Sequence, residues 1–212
     1  MIEYAQYKNY DEYKKHQASK LHKIIERKKL GIFPSKFSKN VANYMKFLNK
    51  YAIHLDPESR ILCMAARTGF EVQAFRNLGF NAIGIDLNPG PWQDKDDPLV
   101  IEGDFNHVPF DNQSFDAIHF NSIDHAFRVE LVVQEAFRLL KPGGKFVVEV
   151  PHLYMSWEDR RNLVSSEKFE SCSYQSIDDI NSLIKNIGFS LLHVVEIKSR
   201  RVITLIFCRE GD

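Results

Sequence analysis

Cysteine is scarce in this sequence, and long apolar runs are missing. The three cysteines, Cys63, Cys172 and Cys208, are far apart and never form a CxxC pair. An odd number of widely spaced cysteines predicts neither a disulfide framework nor a zinc site. No run of about 18 apolar residues is present, and residues 1–20 contain no apolar signal-peptide core. We therefore expect a cytoplasmic protein that neither spans a membrane nor is secreted.

The sequence has no net excess of positive or negative charge, because 28 basic residues balance 28 acidic ones. The charges are unevenly distributed. Residues 1–60 contain 13 basic and 6 acidic residues, which leaves 15 basic and 22 acidic residues in the remainder. A total charge near zero argues against a nucleic-acid partner, although the basic N-terminal segment leaves open a patch that attracts phosphate-bearing ligands.

Residues 1–57 are predicted to form a basic, helical arm packed on a body made of residues 58–212. The arm is rich in helix formers up to Gly31 and Pro34, which predicts one or two helices ending near Leu30. Tyrosines recur in it every three residues and would form a slowly drifting stripe on a helix. We interpret the stripe as a docking surface, with a ring-stacking site for a sugar or base as the alternative. Its members are Tyr4, Tyr7, Tyr10 and Tyr13.

Strand and helix patterns alternate from Arg60 onward. Short apolar runs predict five buried parallel strands in RILCMAA, NAIGIDL, LVIEGD, FDAIHFNS and KFVVEVP. Three helices are predicted: GFEVQAFRNLG, a second that Pro142-Gly143-Gly144 stops, and a third with Ser176 as N-cap and Gly188 as stop. Two β-rich runs around the polar turn Ser199–Arg201 then predict one antiparallel strand in an otherwise parallel sheet.

Three motifs in this order resemble those of the class I S-adenosylmethionine-dependent methyltransferases, especially the methyltransferase-11-like group. They are GIDLNP, EGDFNHVPFDNQSFDAIHF and EAFRLLKPGGKFVVEV, and the resemblance covers about residues 58–209. It implies an α/β, three-layer, Rossmann-like fold whose seven-stranded sheet is mostly parallel, with one antiparallel strand near the C-terminus. It also implies S-adenosyl-L-methionine as the cofactor.

The turn after the first of these strands has few glycines. The family usually has an acid at Cys63 and glycines at Ala65 and Arg67, so only Gly69 keeps the pattern. The segments ARTGFE, GIDLNPG and NSIDHA together resemble a variant group of the same fold. That likeness implies that Arg67 reaches the cofactor carboxylate and that Glu71 meets its amino group or orients Arg67. The alternative is a local Arg67–Glu71 ion pair, which would leave cofactor affinity poor or lost.

The other cofactor residues are predicted beyond the carboxyl ends of the strands, where open α/β sheets bind ligands. The resemblance implies that Asp86 accepts hydrogen bonds from two ribose hydroxyls and that Asp104 accepts one from the adenine amine, with Phe105 beside the ring. A solvated Asp86 and a turn-capping Asp104 are the alternatives. Gly69 permits close backbone approach or serves helix packing. The full predicted set is Ala65, Ala66, Arg67, Gly69, Glu71, Asp86, Leu87, Asp104, Phe105, Asn121 and Ser122.

Candidate catalytic residues follow the fourth strand, in NSIDHAF. Methyl transfer is an in-line displacement that rests on positioning and needs a base only for poor nucleophiles such as hydroxyls. His125 is predicted as that base and Asp124 as the group that orients a substrate hydroxyl, with a helix-cap pair as the alternative. His152 is a second candidate base. Residues 151–176 are predicted to be a lid or acceptor wall, or else a disordered surface loop.

The leading hypothesis is a methyltransferase that acts on a small-molecule acceptor, at a hydroxyl such as that of a sugar or nucleotide sugar. The sequence lacks the [DN]PP[YF] motif of DNA amino-methylases after the fourth strand, and the metal ligands of catechol-type enzymes cannot be assigned, so no metal is expected. Two alternatives remain. One is a partner subunit of the same fold that binds cofactor weakly or not at all. The other is an RNA methyltransferase that grips RNA with the basic arm. The oligomeric state stays open.

Overall fold

The computed structural model describes residues 2–29, 33–51, 55–90, 94–151, 171–174, 176–197 and 202–211. Helices and strands alternate along most of this length. In chain order the elements are β1 (Ile2–Tyr4), α1 (Tyr10–Lys29), α2 (Phe33–Tyr51), β2 (Arg60–Met64), α3 (Phe70–Asn77), β3 (Asn81–Asp86), β4 (Val100–Glu102), β5 (Phe115–Phe120), a 3₁₀ turn (Ile123–His125), α4 (Val129–Leu139), β6 (Leu140–Pro151), β7 (Cys172–Tyr174), α5 (Ile177–Ile187), β8 (Phe189–Ile197) and β9 (Val202–Arg209).

Seven of the strands form one sheet in the order β4-β3-β2-β5-β6-β9-β8. Strand β9 lies between β6 and β8 and runs antiparallel to both, whereas the pairs from β4 to β6 are parallel. The predicted mostly parallel sheet with one antiparallel strand near the C-terminus is therefore confirmed. The predicted turn Ser199–Arg201 lies outside the described residues.

Helices cover both faces of this sheet. On β2, Leu62 and Met64 pack in a core with residues of α4 and α5, while Ile61 and Cys63 pack in a second core with residues of α2 and α3. All four side chains are fully buried. A parallel strand buried on both faces needs cover on both sides, which accounts for the continuous apolar run and for the three layers.

Helix α4 ends earlier than predicted. The sequence placed its end at Pro142-Gly143-Gly144, but Leu140 is already extended, with φ −74° and ψ 142°, and β6 begins there. A proline disfavours the helical conformation of the residue before it, so the chain leaves the helix ahead of the Pro-Gly-Gly turn. The third helix agrees with prediction, since α5 follows Ser176 and ends at Gly188, which has a left-handed φ of 116°.

The N-terminal segment differs from its prediction in two ways. Helix α1 ends at Lys29, close to the predicted end at Leu30. Helix α2 lies within the predicted helical arm, residues 1–57, but beyond that predicted end, and the short strand β1 was not predicted. Tyr4 lies in β1 and Tyr7 in the following loop, so the four tyrosines do not share one helix. Strand β1 pairs antiparallel with β7, with Tyr4 opposite Cys172. This pairing joins parts of the chain that are far apart in sequence. The local three-residue spacing of the tyrosines therefore could not predict it.

The end of the predicted 151–176 insertion is a strand rather than a loop. Within β7, Cys172 and Tyr174 are buried, because β7 pairs with β1 and packs in the core beneath α5. Residues 152–170, including His152, lie outside the described residues. All three cysteines are free, as their spacing predicts.

A cluster of buried polar side chains links α2 to the sheet through hydrogen bonds. The Tyr44 hydroxyl of α2 hydrogen-bonds to Nε2 of His119 on β5 and donates to the carboxylate of Glu149 on β6. The three side chains are at most 2% exposed. Buried polar groups are costly unless they are hydrogen-bonded, so the bonds from the phenol offset part of the cost of burying the imidazole and the carboxylate.

We expect Tyr44→Phe to lower the free energy of unfolding by about 2 kcal/mol, because it removes a donor from a buried carboxylate and leaves the aromatic packing in place. Urea denaturation followed by circular dichroism measures the change. A loss below about 0.5 kcal/mol, the usual range for neutral surface changes, would contradict this role for the cluster.

Candidate binding site

In the glycine-poor turn after β2, a residue other than glycine adopts the left-handed backbone conformation. Ala65 has a φ of 56°, and Gly69, at the start of α3, has a φ of 76°. A side chain at Gly69 would place its Cβ 3.0 Å from the Cβ of Leu99. The turn is tied to β3 through a hydrogen bond from the Ala66 N–H to the Ile85 carbonyl, 3.2 Å long. Ala65 therefore adopts a conformation that glycine adopts more readily, at a steric cost.

We expect Ala65→Gly to raise the free energy of unfolding by about 1 kcal/mol, because glycine adopts positive φ without the steric cost that alanine pays. Ala66→Gly is the matched control. Ala66 has no positive φ and is buried, so the same change there should lower stability. Equal effects at the two positions would contradict the strain at Ala65. Chemical denaturation of both variants measures the difference.

Asp86 ends β3 beside this turn and is only 4% exposed. Its Oδ1 accepts a hydrogen bond from the Asn88 N–H at 2.7 Å and lies 3.4 Å from Nε of Arg67. Its Oδ2 accepts from the Arg67 N–H at 3.2 Å. The ion pair that Arg67 forms among the described residues is therefore with Asp86, and the alternative Arg67–Glu71 pair is not seen there.

Glu71, in the first turn of α3, is 2% exposed. Its Oε1 accepts a hydrogen bond from Nδ2 of Asn121 at 3.1 Å, and the Oδ1 of Asn121 accepts from Ser122 at 3.0 Å. Within the described part of the chain, Oε2 of Glu71 has no hydrogen-bond partner. Burial raises the pKa of Glu71 above the usual glutamate value, and the same carboxylate adds to the raised pKa of the buried Cys63 thiol.

Asp104, which follows β4, is contacted by the N-terminal helix. Its Oδ2 accepts a hydrogen bond from the Tyr10 hydroxyl at 2.6 Å. Its Oδ1 accepts from the backbone N–H of Asn106 at 2.8 Å and from the Asn106 side chain at 2.9 Å. Burial and the bond to Asp104 raise the pKa of Tyr10. Asp104, which is predicted to accept a hydrogen bond from the cofactor, thus already accepts one from α1.

A pocket of about 180 Å³ opens where these elements meet. The predicted residues that line it are Ala65, Arg67, Asp86, Leu87, Phe105, Ser122 and His125. The predicted residues that do not line it are Ala66, Gly69, Glu71, Asp104, Asn121 and Asp124. Of these, Glu71 and Asn121 connect to the pocket residue Ser122 through hydrogen bonds, and Ala66 and Gly69 belong to the turn that contains Ala65 and Arg67. Asp104 is bonded to Tyr10 and Asn106, which do not line the pocket.

Three further residues line the pocket from α1. The sequence analysis named Tyr13 only in the stripe whose alternative was a ring-stacking site, and it did not name the other two. They are Tyr13, Gln17 and Lys20. These residues are spaced by four and then three positions, which puts them on one face of the helix. This spacing is the sequence signal that could have identified them, but the interpretation followed the three-residue spacing of the tyrosines instead. Among the described residues, no group of three or more His, Cys, Asp or Glu side chains is placed to hold a metal ion. The described helices also include none long and apolar enough to cross a membrane.

The fold and the position of the pocket indicate the class of protein. A sheet that is parallel from β4 to β6 reverses its strand order at β2, and the pocket lies beyond the carboxyl ends of β2, β3 and β5. This is where Rossmann-like proteins bind nucleotide cofactors. Residues 62–148 match the family model described as a methyltransferase domain. The matched domain belongs to the class I S-adenosylmethionine-dependent methyltransferases, as the sequence motifs predicted.

Curated relatives include two C-methyltransferases. The ubiquinone/menaquinone biosynthesis C-methyltransferase of Bartonella tribocorum is 34% identical over 104 residues, covering 47% of this chain and 37% of that protein. The sterol 24-C-methyltransferase of Schizosaccharomyces pombe is 27% identical over 180 residues, covering 74% of this chain and 46% of that protein. The chain thus spans less than half the length of these two relatives.

Solved structures share the fold at lower identity. A chain in the complex between the Haloferax volcanii Trm112 methyltransferase activator and a methyltransferase has a TM-score of 0.69 and 14% identity, covering 84% of this chain and 95% of that chain. An N-methyltransferase of Haemonchus contortus, in complex with phosphomonomethylethanolamine and S-adenosylhomocysteine, has a TM-score of 0.63 and 16% identity, with 80% and 53% coverage.

Proposed function

We propose that this protein transfers a methyl group from S-adenosyl-L-methionine to a small-molecule acceptor, in the pocket between the strand ends and α1. The observation that carries the proposal is a pair of buried carboxylates, Asp86 at the end of β3 and Glu71 in the first turn of α3, within the matched methyltransferase domain. The named curated relatives are C-methyltransferases. They favour carbon as the methylated atom over the hydroxyl that the sequence suggested.

The residues present fit this cofactor. A ribose offers two adjacent hydroxyls, and the two oxygens of Asp86 are suited to accept from both. Asp104 would accept from the adenine amine beside its bond from Tyr10, with Phe105 in the pocket wall. Arg67 would hold Asp86 in place through the contacts already present. When bound, the cofactor supplies a methyl group activated by its sulfonium, so this chain's side chains need chiefly to orient the two reactants.

Glu71 would take the place of the acid that the family usually has at Cys63. Its Oε2 has no hydrogen-bond partner among the described residues and is a buried acceptor, and the cofactor's ammonium group is a cation with three donors. An opposite charge that arrives with the cofactor would stabilise the ionised carboxylate, which burial alone disfavours. The electrostatic influence of Glu71 on Cys63 is consistent with this replacement, because it requires the two groups to be near each other.

We expect Asp86→Ala to abolish binding of S-adenosylhomocysteine in calorimetric titration, because the ribose hydroxyls lose their acceptor. Asp97→Ala is the control, since Asp97 is an exposed residue paired with Arg76, and exposed ion pairs contribute little. Unchanged affinity in Asp86→Ala would refute the site assignment. Absence of binding by the unmodified protein would instead favour the non-catalytic partner subunit.

We expect Glu71→Gln to raise the melting temperature of the ligand-free protein at pH 8 and to weaken its binding of S-adenosylhomocysteine. Because burial raises the Glu71 pKa, ionisation costs stability as pH rises from the unfolded value, near 4.3, through the folded value. The stability gain of the variant should therefore increase as the pH rises above the unfolded value and level off above the folded value. Glu102→Gln, at an exposed residue of β4, is the control. A gain that is independent of pH, or unchanged binding, would contradict the role of Glu71.

A further inference from the structure

The 3₁₀ turn Ile123–His125 carries the two candidate catalytic residues, and its own hydrogen bonds satisfy only part of its backbone. These bonds use the carbonyls of Ser122 and Ile123. At Ala126 the chain becomes extended, with φ −67° and ψ 136°. The turn therefore supplies no donor to the carbonyls of its last two residues. Because Ile123 and Ala126 are fully buried, carbonyls beside them need partners from elsewhere in the protein.

Each of the three carbonyls of the turn accepts a hydrogen bond from a residue far away in sequence. The donors are the thiol of Cys172, the backbone N–H of Ser171 and the hydroxyl of Tyr13. The distances to the three carbonyl oxygens, in chain order along the turn, are 3.2, 2.7 and 3.0 Å. The backbone of the turn is thus held at every residue, by α1 on one side and by β7 and the residue before it on the other.

The donors are also joined to the N-terminal segment and to each other. The Ser171 carbonyl accepts from the Ala5 N–H at 2.8 Å, and the Ser171 hydroxyl accepts from Nε2 of Gln17 at 3.1 Å. Tyr13, Ser171 and Cys172 are at most 4% exposed, and a buried hydrogen bond is stronger than one in water. Burial raises the pKa of the Tyr13 hydroxyl, which therefore stays a donor. We call Tyr13, Gln17, Ser171 and Cys172 the turn clamp.

We propose that the turn clamp holds Asp124 and His125 in the geometry that methyl transfer requires. Fixing three consecutive carbonyls fixes the backbone from which these two side chains extend, and His125 lines the pocket. The three donors act as positioning residues, because their hydrogen bonds go to the turn and not to a reactant. The proposal rests on the proposed function, in which the side chains have chiefly to orient the reactants, and a misplacement of about 1 Å costs such a reaction about 100-fold.

The acids proposed to bind the cofactor lie on other elements. Asp86 ends β3, and Glu71 lies in the first turn of α3. The clamp donors bond instead to the turn after β5. Weakening the clamp should therefore alter the turn while leaving the affinity for the cofactor unchanged.

The test compares Tyr13→Phe with Tyr4→Phe, since each change removes one hydroxyl from the N-terminal segment and keeps the ring. The Tyr13 hydroxyl donates to the turn, whereas the Tyr4 hydroxyl donates to Oε2 of Glu130 at 2.6 Å. We expect amide hydrogen exchange at His125 and Ala126, measured by NMR, to become about fivefold faster in Tyr13→Phe and to stay unchanged in Tyr4→Phe. Equal exchange rates in the two variants would overturn the proposal.

A second readout separates positioning from a purely structural role. S-adenosyl-L-methionine labelled with ¹³C at its methyl group reports the surroundings of the reacting carbon through its NMR resonance. With affinity unchanged, the bound methyl resonance should shift or broaden in Tyr13→Phe, because the turn no longer keeps one position, and should stay in place in Tyr4→Phe. An unmoved resonance in Tyr13→Phe would overturn the positioning role.

Failure of the proposed function has a different signature, because the unmodified protein would then bind no S-adenosyl-L-methionine. The assignment of the clamp to methyl transfer would fall with it. A difference in hydrogen exchange between Tyr13→Phe and Tyr4→Phe would still show that the clamp holds the turn.

Discussion

The site depends on the parallel pairing of β2 with β3 on one side and with β5 on the other. Met64, the last residue of β2, is opposite Ile85 and Phe120 in these two pairings. Three strands therefore end at the same edge of the sheet, and the chain must continue from each with a turn that faces the same space. Ala65, Asp86 and Ser122 are neighbours in the pocket for this reason, although they are far apart in sequence.

The glycine-poor turn after β2 adopts left-handed conformations at both an alanine and a glycine. Ala65 takes a left-handed conformation at a steric cost, while Gly69 keeps the position where a side chain would meet Leu99. Glu71, in the first turn of α3, is buried and keeps one carboxylate oxygen without a hydrogen-bond partner among the described residues. The proposed role of Glu71 as the acid of this loop rests on that open oxygen, and binding of S-adenosylhomocysteine by Glu71→Gln tests it.

Sequence reasoning was reliable where the deciding interactions are local. The buried strands, the antiparallel β9 and the end of α5 at Gly188 all follow from periodicity and from glycine chemistry. It failed where partners are distant in sequence. The pairing of β1 with β7, and the contacts of Tyr10 and Lys20 with Asp104 and His125, depend on packing of the N-terminal segment against strand ends. The predicted roles of the site residues stay predictions, while the geometry shows which of them share one pocket.

The central claim is that this strand-end pocket binds S-adenosyl-L-methionine despite its altered turn. Isothermal titration of the unmodified protein with S-adenosyl-L-methionine, and separately with S-adenosylhomocysteine, tests that claim most directly. The account predicts saturable binding of both ligands with one site per chain and an affinity in the micromolar range, about −8 kcal/mol. The absence of both heat and thermal stabilisation with either ligand would contradict it.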